Sequence, residues 1–564
     1  MEYLEFRLDD WRSNVSIIGL MNILDNDKEG QYEIVKNGFD EYLKVSIKSL
    51  ENFEEKYFKY FIDTYEKNLP WYRMISYKNE VEKFIKTDLS EFKKDDFEKL
   101  NNQIDLVKDY LKRPNYTKVF EYIESDIEIT KLIKDIKKIK LRKKEEISDR
   151  KEEILENLKI MQEIINYCNT ETGRKYLGAK GAIFTFINKG IGGVSFLNKQ
   201  TKEKDIYKDY KEYFLDTLNN YLEEDKKKYK YNCFNCDNKI KNLNTGIGIL
   251  NDTGFDLTRK PTHVWFEEND VGICDICSFL YSCFPAGFNY SSYEGIFVNA
   301  NSSIKELKRV NSQISMEVNK VKDTRGISYR ALVNTISKKS IEELKYELDD
   351  VQVIRYKNEK YNFNILSKYS LSIINDSIED LESLSNAGYK IGNDYISIYD
   401  EVLDRLFNNQ NMYTLIYKLF SYKLTNTSFV NAYYNTSHIY RIIRINTRKL
   451  KEVIDLGNES ANAFVEKYRK YGYFLALEYK KKDSNYENKI RGISYRMLNA
   501  LKTRNAENFM HNLINSYMYM SISIPKGMVK ALENDDNLGT IGYAFVAGLN
   551  SYGISDDNKT KEED

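Results

Sequence analysis

Two C-x-x-C pairs, Cys233-Phe-Asn-Cys236 and Cys274-Asp-Ile-Cys277, constrain the fold of this chain more than any other feature, because they hold four of its six cysteines. Each pair places two thiolates within reach of one ion, and four thiolates close a tetrahedron around Zn²⁺ with no open position for a substrate. We therefore predict a structural zinc site at Cys233, Cys236, Cys274 and Cys277. Two alternatives stay open: His263 in the spacer could replace one sulfur, or the cysteines could form disulfides or remain free thiols.

The composition is that of a soluble, globular chain. Of the 564 residues, 41% are hydrophobic and only five are proline, so the chain can bury a large core and is long enough for two or more domains. No basic and apolar leader opens the sequence, and no apolar run approaches the ~18 residues of a membrane span, so we expect a cytoplasmic protein. Basic and acidic residues both number 86, so any polyanion must be met by local patches.

The order of the patterns along the chain predicts an α+β fold. Tyr3–Leu8 alternates like a strand and precedes a helix that Asp10 or Ser13 can cap. Residues 295–303 again predict a strand that leads into a capped helix. We expect a large mixed domain over residues 1–400, with the cysteine module inserted at about 230–290. A helical bundle is expected over residues 401–564.

A glycine-rich segment between Gly178 and Lys199 predicts a strand, a turn and a second strand. Because glycine permits close backbone approach, such a loop can contact phosphate or enter a minor groove, although an ordinary hairpin turn has the same composition. Asn188 and Ser195 are the polar groups expected at base edges. The candidate nucleic-acid contacts in this segment are Asn188, Lys189, Gly192, Gly193, Ser195 and Lys199.

A second candidate nucleic-acid surface lies in the last third of the chain, where no acidic residue occurs between Asp404 and Glu452. Within that stretch four cations recur at helical spacing and are predicted to share one helix face. A row of positive charges with no carboxylate nearby is destabilised by repulsion unless an anion neutralises it. This favours contact with a nucleic-acid backbone over a simple basic surface. The four cations are Arg441, Arg444, Arg448 and Lys451.

Motifs of several enzyme classes are missing from the sequence. The three histidines stand in no H-D, H-x-H or H-E-x-x-H arrangement, which argues against histidine-metal nucleases and proteases. No G-x-x-x-x-G-K-[ST] and no G-x-S-x-G motif occurs, so neither a P-loop nor a nucleophile elbow is expected. We therefore expect a binding protein rather than an enzyme, while a nuclease with carboxylate metal ligands stays open.

Three features together resemble a known family. They are the opening from Asp10 to Leu24, which contains Ile-Ile-Gly-Leu, the two C-x-x-C pairs, and the Phe-Pro-Ala-Gly-Phe and Gly-Ile-Phe-Val-Asn-Ala-Asn motifs at 284–301. In this order, and followed by a basic helical C-terminal region, they resemble the large subunit of a type I-B CRISPR Cascade complex, in the branch that carries a zinc-finger-like module. The G-G-D-D motif of type III large subunits is absent.

The resemblance implies a non-catalytic subunit that binds guide RNA and target DNA and recognises the protospacer-adjacent motif in duplex DNA. It implies partners as well: the repeated backbone subunit, the subunit that caps the 5′ handle of the guide, a small subunit, and a helicase-nuclease recruited transiently. Such a subunit would help to unwind the duplex and stabilise the R-loop. Two alternatives stay open, namely a stand-alone zinc-stapled nucleic-acid-binding protein and the carboxylate-metal nuclease.

The resemblance also implies that the C-terminal region can be made separately. In several type I-B systems the small subunit is translated from an internal start within the large-subunit gene. Met412 is the candidate start in this chain, because it lies just ahead of most of the acid-free stretch and would yield a 153-residue product, about the length of a compact helical bundle.

Overall fold

A computed structural model of the chain describes residues 2–27, 32–38, 40–142, 145–198, 200–246, 248–250, 271–291, 294–300, 303–320, 332–333, 351–357, 359–425 and 430–551. The chain forms two compact units. The first comprises Met1–Ser328 and Val353–Phe363, and the second comprises Tyr329–Gln352 and Asn364–Asp564. Helices and sheets occur in both units, so the fold is α+β, as the sequence predicts.

The strands of the described residues, in chain order, are β1 Tyr3–Arg7, β2 Tyr32–Asn37, β3 Asp40–Ser46, β4 Tyr231–Asn232, β5 Lys239–Ile240, β6 Asn289–Tyr290, β7 Glu294–Asn299, β8 Val351–Lys357, β9 Lys360–Leu366, β10 Gly388–Ile391, β11 Asp394–Ser397 and β12 Val430–Tyr433. They form four sheets, with the orders β1-β3-β2, β4-β5, β6-β7-β8-β9 and β11-β10-β12.

The α-helices of the first unit are α1 Trp11–Asn26, α2 Phe53–Tyr65, α3 Pro70–Ile75, α4 Lys78–Lys86, α5 Lys94–Leu111, α6 Pro114–Thr117, α7 Ile129–Asp135, α8 Lys151–Cys168, α9 Glu171–Thr185, α10 Ile206–Tyr210, α11 Thr217–Glu223, α12 Asp275–Ser282, α13 Phe284–Gly287 and α14 Ile304–Lys320. Those of the second unit are α15 Lys368–Asp376, α16 Ile378–Ser383, α17 Ile398–Phe407, α18 Tyr413–Thr425, α19 Thr436–Lys449, α20 Ala461–Lys482, α21 Tyr486–Lys502, α22 Ala506–Met520 and α23 Asp535–Leu549.

The first sheet is antiparallel, and its alternation decides which side faces the core. Leu4 and Phe6 of β1 are buried, and they lie opposite Val45 and Leu43 of β3, which are fully buried. The residues between them point to the solvent side, as the period of two requires. Among the strands that the structure describes, β1 pairs only with β3 and lies at one end of this sheet.

Helix α1 is the central helix of the first unit. Asp10 caps it by accepting a hydrogen bond from the Ser13 N–H (2.8 Å), so Asp10 is the cap of the two that the sequence offers. The helix packs closely on α13 through two glycines. A Cβ on Gly19 would lie 2.0 Å from the Cys283 carbonyl oxygen, and a Cβ on Gly287 would lie 2.0 Å from the Val15 carbonyl oxygen. The Ile-Ile-Gly-Leu and Phe-Pro-Ala-Gly-Phe motifs are therefore two sides of one helix contact.

The second unit is a helical bundle with a small sheet. Its central helix is α23, in which every residue from Asn537 to Leu549 is buried. α23 packs against α20 through another pair of glycines: a Cβ on Gly548 would meet the Arg469 carbonyl oxygen, and a Cβ on Gly472 would meet the Phe545 carbonyl oxygen. These positions have room only for hydrogen, so the two helix backbones approach each other directly.

The sequence analysis expects a domain boundary near residue 400, and the second compact unit includes residues on both sides of that position. The second unit also contains a strand that the sequence analysis did not predict. β12 lies inside the predicted bundle and pairs with β10, which also pairs with β11. This sheet ties residues 388–397 to the helices that follow.

The glycine-rich segment does not form the predicted strand, turn and strand. Residues 171–185 form helix α9, which Thr170 caps by accepting a hydrogen bond from the Gly173 N–H. Gly178 and Gly181 lie on the buried face of α9, against Ile62 and Pro70 respectively. They permit close packing between helices and do not mark turns.

Across the described ranges, no helix combines the length and the apolar character needed to cross a membrane.

Candidate metal centre and candidate nucleic-acid surfaces

The four cysteines of the C-x-x-C pairs meet at one point. Cys233 and Cys236 lie in the turn between β4 and β5, and Cys274 and Cys277 lie at the start of α12. Their four sulfur atoms are within 4.8 Å of one another. The Sγ atoms of Cys233 and Cys277 are 3.8 Å apart, and those of Cys236 and Cys274 are 3.5 Å apart.

These distances fit a tetrahedral metal site. With metal–sulfur bonds of about 2.3 Å, a tetrahedron places its sulfurs roughly 3.8 Å apart. Four sulfurs fill the tetrahedron, so the geometry is that of a structural site rather than a catalytic one. Cys283 is not part of it, since its Sγ donates to the carbonyl oxygen of Phe279. His263, the alternative ligand, lies outside the described residues.

Three N–H groups point at the sulfurs. The backbone N–H of Cys274 donates to the Cys233 Sγ (3.3 Å), the Asn238 amide donates to the Cys236 Sγ (3.3 Å), and the Asn235 amide donates to the Cys277 Sγ (3.4 Å). Such donors stabilise thiolates and orient metal ligands. The sequence signal for the two asparagines was their place beside the cysteines in Cys-Phe-Asn-Cys-Asp-Asn, and the sequence analysis did not use it.

Asn235 also ties the cysteine turn to the core of the first unit. Its side-chain oxygen accepts hydrogen bonds from the hydroxyls of Tyr281 (2.7 Å) and Ser13 (3.2 Å). Tyr281 belongs to α12 and Ser13 to α1. The cysteine cluster therefore holds together two distant parts of the sequence and joins them to the central helix.

Four thiolates this close together repel one another unless a cation lies among them. Hydrogen bonding among the sulfurs raises the pKa of Cys277 and Cys274 well above the ordinary value of a thiol, and it lowers the pKa of Cys233. A bound divalent cation would replace the shared protons and stabilise four thiolates at once.

Residues 226–289, which contain all four cysteines, match the model of a family described as CRISPR-associated protein (Cas_CXXC_CXXC). This match covers the cysteine turn, α12 and α13. No curated protein and no solved structure matches the chain.

The candidate contacts in the glycine-rich segment do not form one surface. Ser195 is 5% exposed, and its hydroxyl donates to the Asp209 carboxylate (3.0 Å), so it cannot reach a base edge as predicted. The Gly192 N–H already donates to the Ile249 carbonyl oxygen. Asn188 and Gly193 are exposed, and Gly193 has a φ of +75°, which favours glycine. Lys199 lies outside the described residues.

Lys189 is enclosed by aromatic rings. Its Nζ lies 5.3 Å from the ring centre of Tyr290, 5.4 Å from that of Phe186 and 5.9 Å from that of Tyr356. Burial lowers the pKa of Lys189 to about 8. The sequence analysis missed this cage, because its three rings come from separate elements of the fold.

The predicted row of arginines is present, but a carboxylate forms ion pairs with it. Arg441, Arg444 and Arg448 lie on α19 and converge on Asp380 of α16, at N–O distances of 3.1, 3.4 and 2.7 Å. Asp380 is 1% exposed. In the described part of the chain no other carboxylate lies within ion-pair distance of these arginines, so three positive charges share one negative charge.

Two neutral oxygens complete the arginine cluster. The Asn462 side-chain oxygen accepts from Arg444 (3.2 Å) and Arg448 (2.7 Å), and the Ser377 hydroxyl accepts from Arg448 (3.0 Å). Lys451 is not on the same helix face, because α19 ends at Lys449. It is exposed and lies over the Tyr369 ring. The prediction that no carboxylate neutralises the arginines was therefore wrong. The three arginines and Asp380 together still carry a net charge of +2.

Proposed function

We propose that this chain is a non-catalytic subunit of an RNA-guided CRISPR interference complex, and specifically the large subunit of a type I-B Cascade complex. The observation that carries the proposal is the convergence of four sulfurs inside the segment that matches the CRISPR-associated family. The metal proposed for this site is Zn²⁺, because an all-thiolate tetrahedral site is typical of structural zinc.

The proposed role needs no active site in this chain. An RNA-guided complex reads its target by base pairing, and protein is needed only to recognise the short adjacent motif, to open the duplex and to hold the displaced strand. The proposed partners are guide RNA, target DNA, the repeated backbone subunit, the handle-capping subunit and a small subunit. A helicase-nuclease, recruited transiently, would cut the DNA.

Two surfaces are proposed to contact nucleic acid. One is the exposed part of the glycine-rich segment, of which Asn188 and Gly193 are free to approach a groove. The other is the arginine cluster, whose excess positive charge suits a phosphate backbone. The metal centre is proposed to hold the fold rather than to touch bases.

The test is reconstitution. The chain is expressed with the products of its neighbouring genes and a guide RNA, and binding to a matched duplex is measured with and without the chain. We expect target binding to require the chain and an intact adjacent motif. Equal target binding without it would overturn the proposal, and so would Mg²⁺- or Mn²⁺-dependent cleavage by the purified chain alone.

The same complex tests the glycine-rich segment. Asn188→Ala should weaken duplex binding and leave assembly intact. Asn169→Ala is the matched control, because Asn169 is also exposed and lies at the other end of α9. Equal binding by the two variants would remove Asn188 from the proposed contact surface.

A further inference from the structure

The two short strands beside the cysteine turn form a ribbon with one buried and one exposed face. β4 and β5 are antiparallel, with Tyr231 opposite Ile240 and Asn232 opposite Lys239. Ile240 and Cys233 are buried, whereas Asn232 and Lys239 are exposed, and the Lys239 ammonium donates to the Asn232 side-chain oxygen (2.8 Å). Because successive side chains of a strand point to opposite faces, the face that carries Asn232 and Lys239 is presented outward.

The exposed face of the ribbon is basic. Lys239 lies on it, and the alternation places Lys230 and Lys241, one residue beyond the paired strands, on the same face. All three lysines are exposed, and none of them forms an ion pair within the part of the chain that the structure describes. The register makes Lys230 and Lys241 cross-strand neighbours, and like charges in that position repel each other. A bound anion would relieve this repulsion.

The acidic residues near the ribbon do not neutralise it. Residues 223–241 contain six lysines and four acidic residues, so apart from the cysteines they carry a net charge of +2. Asp225 already accepts a hydrogen bond from the Lys227 N–H (3.1 Å), and Glu224 accepts one from the Tyr229 hydroxyl. The exposed face therefore favours a polyanion as its ligand.

Phe234, at the tip of the ribbon, narrows the choice of polyanion. It is 68% exposed, and its backbone N–H donates to the Gly272 carbonyl oxygen (2.9 Å), which fixes its place in the turn. An exposed ring next to a row of lysines is suited to stack on an unpaired base while the lysines contact phosphates, as in sites that bind single strands without reading their sequence. The bases of a duplex are already stacked and paired, so they offer no such contact.

We propose that the exposed face of this ribbon binds single-stranded nucleic acid, with Phe234 stacked on an unpaired base and Lys230, Lys239 and Lys241 against the phosphates. The cysteines keep a structural role, because they hold the ribbon in shape and do not touch the strand. The biological role of this site rests on the proposed function, to which it adds a third surface. Its test uses the chain alone, so the two can fail separately.

The stacking contact is tested with a (dT)20 strand and with an abasic strand of the same length and charge, each bound to the full-length chain. A (rU)20 strand is measured beside them, and the tighter of the two base-carrying strands identifies DNA or RNA as the source of the ligand. Phe234→Ala is the test variant. Phe474→Ala is its matched control, because Phe474 is 58% exposed on α20 of the second unit.

The phosphate contact is tested by a double variant, Lys230→Ala with Lys241→Ala. Its matched control is Lys112→Ala with Lys159→Ala, because these two lysines are also exposed and form no ion pair among the described residues. Affinity for (dT)20 is measured over a range of salt concentrations. Melting temperature and zinc content are measured for every variant, so that loss of folding is separated from loss of binding.

We expect the chain to bind (dT)20 about tenfold or more tightly than the abasic strand, and Phe234→Ala should remove most of this difference. The Lys230 and Lys241 double variant should reduce the slope of log affinity against log salt by about 1.4, the value for two phosphates of a single strand. The proposal is overturned if the two strands bind equally, if Phe234→Ala binds like Phe474→Ala, or if the two lysine pairs give the same slope. If these results hold and the reconstituted complex needs no such chain, the proposed function fails and the single-strand site stands.

Discussion

Lys189 shows how a single residue can be correctly identified as unusual and wrongly assigned a partner. The sequence places this lysine in a glycine-rich segment and suggests a phosphate contact. The structure places its ammonium among three aromatic rings, where burial lowers the pKa to about 8. Each ring can attract the cation, but the loss of water costs more, as the lowered pKa indicates.

The pKa of Lys189 gives a prediction for stability against pH. Below pH 8 the folded and unfolded chains are both protonated at this lysine, so the cost of burying the charge is fully present. Between pH 8 and the ordinary pKa of 10.5 the folded chain releases its proton and the cost declines. Lys189→Met should therefore raise the free energy of unfolding by about 1–2 kcal/mol near pH 7, and by less near pH 9.5.

Urea unfolding at the two pH values checks this prediction. Lys159→Met is the control, because Lys159 is exposed on α8. A gain from Lys189→Met that does not change with pH would contradict the explanation by charge burial.

At the level of residues, the sequence predicted the clustering of the four cysteines better than it predicted the surroundings of the candidate nucleic-acid contacts. Metal ligands obey a local spacing rule, and C-x-x-C places its sulfurs almost independently of the rest of the fold. The burial of a side chain follows no local spacing rule of this kind. Ser195 and Lys189 look like loop residues in the sequence, but they are enclosed by residues from other elements. Asp380 lies 61 residues before Arg441, the first arginine with which it pairs. No sequence pattern near the acid-free stretch therefore predicts this ion pair.

Among the secondary-structure elements, the contact between α1 and α13 explains two of the motifs that suggested a family. Gly19 and Gly287 allow two helix backbones to touch, and a methyl group at either position would enter a carbonyl oxygen of the other helix. These motifs are therefore packing signals. The glycines of α9 are also packing positions. From the sequence alone, a glycine on a buried helix face cannot be distinguished from a glycine in a turn.

The helix contact predicts an effect of substitution. Gly287→Ala should lower the free energy of unfolding by about 3 kcal/mol or more, because the backbone of α1 cannot yield as a side chain would. Gly192→Ala is the control, since a Cβ there meets nothing within 4 Å, and it should change stability by less than about 0.5 kcal/mol. Equal effects of the two changes in chemical denaturation would contradict this account of the contact.

The cysteine turn is an element whose folding is expected to depend on metal. Replacing Cys233 and Cys236 together by Ser should remove the metal and unfold the surroundings of α12, because metal-binding energy is folding energy in such sites. Metal content by mass spectrometry and secondary structure by circular dichroism measure the two effects. Cys283→Ala, outside the cluster, should keep the metal. A double variant that stays folded and loses only nucleic-acid binding would make the turn a contact surface.

For the molecule as a whole, the arginine cluster decides whether the second unit presents a basic face. Asp380→Asn should raise the excess charge from two to three. If the cluster contacts phosphate, DNA affinity should rise severalfold, and the salt dependence should steepen by about one phosphate. Removal of a buried carboxylate should also lower stability by about 3 kcal/mol.

Glu379→Gln is the matched control for Asp380→Asn, because Glu379 is the exposed neighbour on α16. Salt titrations of DNA binding and chemical denaturation distinguish the two roles of the cluster. A loss of stability with unchanged DNA affinity would show that the arginines only hold α16 against α19.

The internal start is tested on the whole gene. Met412 is fully buried immediately before α18, and its N–H donates to the Asn446 side chain. We expect the unmodified gene to yield the full chain and a 153-residue C-terminal product, and the Met412→Leu gene to yield the full chain only. Intact-mass measurement of both preparations checks this. If the unmodified gene yields no fragment beginning at residue 412, the internal start is refuted.

Asp380 lies upstream of Met412, and this order has a consequence for the proposed second product. The full chain supplies its own counter-ion to Arg441, Arg444 and Arg448. A product beginning at Met412 would contain all three arginines and no Asp380, so a phosphate of the bound strand would have to take the place of the carboxylate. The same part of the gene would then encode helix α19 twice, with a carboxylate counter-ion in the full chain and without one in the shorter product. The frequency of translation initiation at the internal codon, and not a chemical modification, would set the ratio between them.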